Sequence, residues 1–234
     1  MSKPKQIVAL GGGGFSMESS LLLDHYLLAA TGQPRPQIAF IPTASGDSEY
    51  YLSRFYDTFS RLDCRPSHLS MFKPHTADFD EYLQHQHLIF VGGGNTRSML
   101  ALWREWGLDK ALRRAYEAGV VLSGISAGMI CWFEWGLTDS NPGQLVPLNC
   151  LGLLPGGACP HYDGESKRQP ALQLAVAHGS SAAYAADDGA ALHFVEGTLH
   201  QVVSSRPSAK AYLVEKASNG GSQTTALETQ FLGV

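Results

Sequence analysis

A short apolar run that stops at glycines and hands over to a segment of helical period recurs along the first half of this chain, and that repeat leaves few folds open. Residues 6–10 give way to the glycines at 11–14 and then to residues 18–30, where Leu21, Leu22, His25, Leu28 and Ala29 recur at helical spacing. Residues 37–41 stop at the turn 42–46, and residues 49–62 carry Tyr51, Leu52, Phe55 and Phe59 on one face. Residues 87–91 end at Gly92-Gly93-Gly94-Asn95 and lead into a helical pattern over 96–106, followed by another over 108–118 that Gly119 closes. Residues 120–124 then meet Ser126, and residues 127–135 read as a helix running to Gly136. Continuously apolar strands alternating with amphipathic helices describe an α/β fold, a three-layer sandwich with a mostly parallel sheet covered on both faces.

The second half is less regular. Residues 137–160 carry Asn141-Pro142-Gly143, Pro147, Pro155-Gly156-Gly157 and Pro160, and so read as loop around one short strand at 151–154. A helix is expected over 169–179 and strands over 182–186, 190–195 and 198–203, the last two forming an antiparallel hairpin about Gly197 at a sheet edge. Only residues 218–225 look too polar to order. With 234 residues, 44% hydrophobic and 16% charged, the chain suits one domain spanning 1–234.

A formal charge of −4, from 17 basic and 21 acidic residues, offers no basic field, so neither nucleic acid nor a membrane is an expected partner. The basic opening at residues 1–5 precedes an apolar run too short for a signal sequence, and the expectation is a soluble, unprocessed cytoplasmic protein. Cys64, Cys131, Cys150 and Cys159 match no zinc or redox spacing and read as buried thiols; Cys131 is expected to pack rather than react. No metal or other cofactor is called for. The glycines at 11–14 lack the third glycine or the Lys-Ser/Thr that a nucleotide loop requires, and read as a tight turn or a wall of a crevice.

The chemistry concentrates in Gly124-Ile125-Ser126-Ala127-Gly128. A serine between glycines, after a strand and before a helix, is the pattern of a nucleophile held on a strained turn with its hydroxyl exposed above the sheet. Such a serine needs a base, and His161 stands out among nine histidines because it follows the Pro- and Gly-rich stretch 155–160 and opens a polar run; His178 and His193 are the alternatives. For the acid, spacing leaves Asp188, Asp163, Asp139 and Glu134 open. The Ala127 amide is a natural oxyanion donor, with a second donor expected from the loop Gly92-Gly93-Gly94-Asn95.

Taken together, the segments around 10–16, 41–45, 91–96, 125–128 and 160–162 resemble peptidase family S51, the group of peptidase E and, more distantly, cyanophycinase. The resemblance implies a fold like the class I glutamine amidotransferases, with Ser126 as nucleophile, His161 as base, and Gly93 or Gly94 with Ala127 around the oxyanion. It also implies Asp188 as the third member, and substrate contacts from Asn95 and from Arg168, whose planar fork suits a carboxylate. One departure is the bulky block Cys131-Trp132-Phe133-Glu134-Trp135, which would shrink a pocket for an acidic side chain if its rings lined the crevice. The expected function is a serine peptidase acting on small peptides, Asp-X dipeptides among them, possessing no cofactor and forming a homodimer by the general prior for soluble enzymes. An amidase, esterase or cyanophycinase-like hydrolase on the same scaffold, or a non-catalytic binding protein, are the rival readings.

Overall fold

The computed structural model describes residues 3–218 and 220–233; the first two residues of the basic opening and residue 219 of the polar tract at 218–225 lie outside it. The strands are β1 Gln6–Leu10, β2 Gln37–Ile41, β3 Arg65–His68, β4 Leu88–Val91, β5 Val121–Ile125, β6 Phe133–Asn141, β7 Gln144–Asn149, β8 Leu154–Cys159, β9 Ala183–Ala186, β10 Ala190–Val195, β11 Thr198–Ser204, β12 Ala211–Lys216, β13 Ser222–Ala226 and β14 Gln230–Phe231. The helices are α1 Leu22–Ala30, α2 Glu49–Phe59, α3 Phe79–Gln84, α4 Thr96–Trp106, α5 Leu108–Glu117, α6 Ala127–Ile130 and α7 Arg168–Ala177.

Eight strands form one sheet in the order β14-β11-β10-β1-β5-β4-β2-β3. Strands β1, β5, β4, β2 and β3 are mutually parallel, while β10 runs antiparallel to β1 and to β11. Side chains alternate across this sheet as pleating requires. Val8 and Leu10 join the apolar cluster under α1 and α2, with Leu23, Leu27, Phe55 and Phe59, whereas Ile7 and Ala9 join the cluster under α4 and α5, with Leu100, Trp103 and Leu112. The protein therefore has the expected helix–sheet–helix layering, with a mostly parallel central sheet.

A second sheet of six strands, β13-β12-β9-β8-β6-β7, stands beside the first. It corrects three expectations. Residues 137–160 are mainly strand rather than loop, residues 222–226 pair with β12 rather than lying disordered, and the helix after Ser126 stops at Ile130 instead of reaching Trp135. Over 137–160 glycine and proline read locally as breakers, but long-range ladder pairing holds the segment as strand, and the same kind of pairing draws 222–226 and the residues from Phe133 onward into strands against their local pattern. Cys131, Trp132 and Phe133 are all fully buried in the cluster that also takes Leu192 and Phe194 from the first sheet and Leu154, Ala158 and Ala211 from the second. The apolar run after Ser126 is thus the joint between the sheets. Cys64 and Cys159 are buried thiols as well, and among the described residues no helix is long and apolar enough to cross a membrane.

Candidate active site

Strands β1, β4 and β5 all present their carboxyl ends at one edge of the large sheet, the edge at which open α/β sheets bind ligands. Ser126 follows β5 directly. Its φ of 58° and ψ of −111° lie where a residue with a side chain rarely sits, and the turn is so tight that a Cβ on Gly124 would overlap the Gly128 carbonyl and one on Gly128 the Val91 carbonyl. The amides of Met129 and Ile130 donate to the Ser126 carbonyl at 3.0 and 3.1 Å, which starts α6. The Ala127 amide, at the first helical position, has no intrahelical acceptor.

Successive carbonyls at the end of β1 hold the segments that carry the other candidate residues. Leu10 O accepts from Ser126 N at 3.2 Å, Gly11 O from His161 N at 3.2 Å, and Gly12 O from Gly189 N at 3.0 Å. Gly12 also bridges Asp188 in parallel fashion, so closely that a Cβ on Gly12 would collide with Asp188 Oδ1. The glycine run at 11–14 is therefore a tight turn, and a template as well: three segments far apart in sequence are fastened to three neighbouring residues.

His161, itself at φ 52°, has its Nδ1 2.6 Å from Asp188 Oδ1. An ionised carboxylate can only accept, so Nδ1 is the donor of this bond, and in a neutral ring Nε2 is then the acceptor. Among the described residues, the other three acids make no hydrogen bond to this ring. Asp163 grips the Asp188 backbone instead: its Oδ1 accepts from Asp188 N at 2.8 Å, and its Oδ2 pairs at 2.7 Å with Arg206, which also donates to the Asp188 carbonyl. Partial burial pushes the Asp163 carboxyl up, but the Arg206 hydrogen bond and the Asp188 amide outweigh it and hold its pKa below the usual value. Glu134 accepts from Gly156 N, and Asp139 is exposed near Arg168. His193, on β10, faces Tyr26 and Gln6, and burial, followed by His200, lowers its pKa to about 4.

Ser126 and His161 line one cleft of about 380 Å³ together with Ser16, Met17, Ser45, Ser48, Tyr50, Tyr51, Arg54, Gly93 and Ile125. A Cβ on Gly93 would stand 3.2 Å from Ser126 Cβ and 3.7 Å from its Oγ, so the loop after β4 lies across the hydroxyl. Neither expected substrate contact lines this cleft. Asn95 is the N-cap of α4, its Oδ1 accepting from Ser98 N at 2.9 Å. Arg168 is 2% exposed and donates to the Leu137 carbonyl at 3.0 Å and to Glu165 at 2.9 Å, beneath a separate cavity of about 640 Å³ bounded by Asp139, Leu145, Glu165 and Lys167. The aromatic block after Ser126 stays out of the cleft too: Trp132 and Phe133 are in the core, and Trp135 donates to Ser181 Oγ.

Sequence reading overlooked Arg54 and Tyr51. Helical spacing puts Tyr51 on the apolar face of its helix, yet its hydroxyl is 2.5 Å from Ser16 Oγ and beside the Gly93 amide. The helical spacing of Tyr51 and Arg54, one turn apart on α2, was the available signal, but which sheet edge that turn would face was not.

The profile of peptidase family S51 matches residues 7–202. The chain is 56% identical over 215 residues to the uncharacterized peptidase YgaJ of Bacillus subtilis (strain 168), covering 91% of this chain and 93% of that protein. Over 146 residues it is 30% identical to peptidase E of Streptomyces coelicolor, covering 60% and 58% of the two chains. Among solved structures, a peptidase from an acI-B1 Actinobacterium superposes with a TM-score of 0.73 at 21% identity, covering 95% of this chain and 94% of that one. A putative peptidase E protein from Listeria monocytogenes EGD-e gives 0.63 at 18% identity, covering 88% of this chain and 100% of that one, and both likenesses speak for the fold. The extent of the profile match and of the YgaJ identity places the chain in peptidase family S51.

Proposed function

We propose that this protein is a serine peptidase that hydrolyses small peptides through Ser126, His161 and Asp188. The observation that supports this most directly is the 2.6 Å bond from His161 Nδ1 to Asp188, on a ring that lines the same cleft as the strained Ser126. With Nδ1 held by Asp188, Nε2 takes the Ser126 proton as Oγ attacks the scissile carbonyl. The oxyanion that forms accepts hydrogen bonds from the Ala127 amide and the loop at Gly93 and Gly94. The protonated imidazole then gives its proton to the departing amine, leaving an acyl-enzyme. Water, deprotonated by the same ring, breaks the ester and restores the serine.

A cleft of about 380 Å³ suits a substrate of dipeptide size, and Asp-X dipeptides are the first to try because the aromatic block leaves the cleft open. Ser126→Ala is expected to fold normally and to lose at least about a thousandfold in kcat. Wild-type turnover by the Ser126→Ala variant would refute the assignment. A fluorophosphonate probe should label the wild-type protein at Ser126.

A further inference from the structure

Within the Ser126 cleft the lining, apart from the His161 imidazole, is hydroxyl, apolar and glycine backbone except for one permanent charge, Arg54. Arg54 lies on α2, one turn after Tyr51, and one of its terminal nitrogens donates to the Phe15 carbonyl at 2.7 Å. Among the described residues that carbonyl is its hydrogen-bond partner, and no carboxylate forms an ion pair with it. Other cations near the candidate residues are occupied: Arg206 pairs with Asp163, and Arg168 with Glu165 and the Leu137 carbonyl. The lining of the cleft includes no carboxylate either. A guanidinium tethered at one corner, with the rest of its fork without a protein acceptor, is pre-organised for a planar anion.

We infer that Arg54 is the carboxylate receptor of this cleft and selects substrates bearing a carboxylate close to the scissile amide. The inference rests on Ser126 being the nucleophile, and it gives Arg54 the role that the family resemblance implies for Arg168. The anchor to Phe15 matters because it fixes the side chain to the turn that also carries Ser16, which bonds Tyr51 across the cleft wall. The fork is then held at a set distance from Ser126 and does not sweep through solvent, so a bound carboxylate positions its amide. Two parts of a small peptide carry such a group, an acidic side chain and the terminal carboxylate, and the same fork serves either.

The test compares wild type, Arg54→Met and Arg54→Lys on three substrates: aspartyl p-nitroanilide, with only the side-chain carboxylate; alanyl-leucine, with only the terminal one; and alanyl p-nitroanilide, with neither. In Arg54→Met, kcat/KM is expected to fall at least about tenfold on one or both of the carboxylate substrates, carried mainly by KM, and by less than about threefold on alanyl p-nitroanilide. Which carboxylate substrate suffers identifies the source, and Arg54→Lys should recover part of the loss. An equal fall on all three substrates, as lost bracing of the Phe15 turn would produce, or no fall on any, overturns the inference.

A second readout separates this inference from the proposed function. A neutral fluorophosphonate labels Ser126 without needing a carboxylate, and free aspartate or succinate should slow that labelling in wild type but not in Arg54→Met. Normal labelling with no protection in wild type defeats the receptor alone. Absence of labelling defeats the nucleophile and the receptor with it.

Discussion

At the scale of single residues, two carboxylates compete for the role beside His161, and their contacts divide the work. Asp188 touches the imidazole, whereas Asp163 touches only the Asp188 backbone and Arg206. In the proposed mechanism, removing the negative charge at Asp188 both loosens the ring and removes what would stabilise the imidazolium. Asp188→Asn is accordingly expected to lower kcat by about ten-thousand-fold. Asp163→Asn keeps an oxygen for the Asp188 amide and loses the ion pair to Arg206, for a loss of about tenfold. Steady-state kinetics on a peptide substrate would rank them, and a larger loss at Asp163 would contradict this division. Spacing could not have made it: Asp163 is two residues from His161 and Asp188 is 27 away in sequence, yet the nearer acid points along the backbone of the farther one. Ser126 and His161 are candidates on local signals, glycine flanks and a polar loop, while a partner for the ring is a fact of tertiary geometry.

Among the elements, the turn after β1 carries the most consequence. The Gly14 amide is capped by Glu18 and the Phe15 amide by Asp24, a carboxyl 1% exposed whose second oxygen has no hydrogen-bond partner among the described residues. Burial raises the Asp24 pKa to about 6, against the lowering pull of the Phe15 amide. The sign follows from proton counting. Between the ordinary aspartate value of 3.8 and about 6, the folded state keeps a proton that the unfolded chain has released, so this group's contribution to stability falls as pH rises through that window. Asp24→Asn abolishes the penalty and keeps an acceptor for Phe15. Urea unfolding should show it more stable than wild type by about 2 to 3 kcal/mol at pH ~8, with the difference shrinking toward zero near pH ~4. A difference independent of pH would assign the effect to packing. Sequence reading recognised this turn and the parallel strands around it, since apolar runs ending in glycine are unambiguous. It failed on β7 and β8, where Pro147 and Pro155-Gly156-Gly157 sit inside strands that only their neighbours hold extended.

At the scale of the whole molecule, the candidate residues straddle the two sheets. Ser126 leaves β5 of the large sheet, His161 follows β8 of the small one, and Asp188 lies in the crossing from β9 to β10, from small sheet to large. Their geometry is therefore as good as the packing between the sheets. Phe133, 0% exposed at the start of β6, is central to that packing: its ring meets Phe194 of β10 edge-on at 5.6 Å and Tyr184 of β9 at 6.2 Å. Truncating it to alanine removes a ring from a fully packed joint and should cost about 3 to 5 kcal/mol. Because one apolar cluster spans both sheets, the sheets should unfold together, so Phe133→Ala should lose activity and tryptophan fluorescence in a single transition at lower denaturant. The tryptophans report on both parts, with Trp103 buried under the large sheet and Trp135 in the cluster of the small one. If activity instead vanished in a separate, earlier step with the Trp103 environment intact, the small sheet would be detaching by itself. His161 would then be held by the Gly11 carbonyl and the Asp188 contact rather than by the common core.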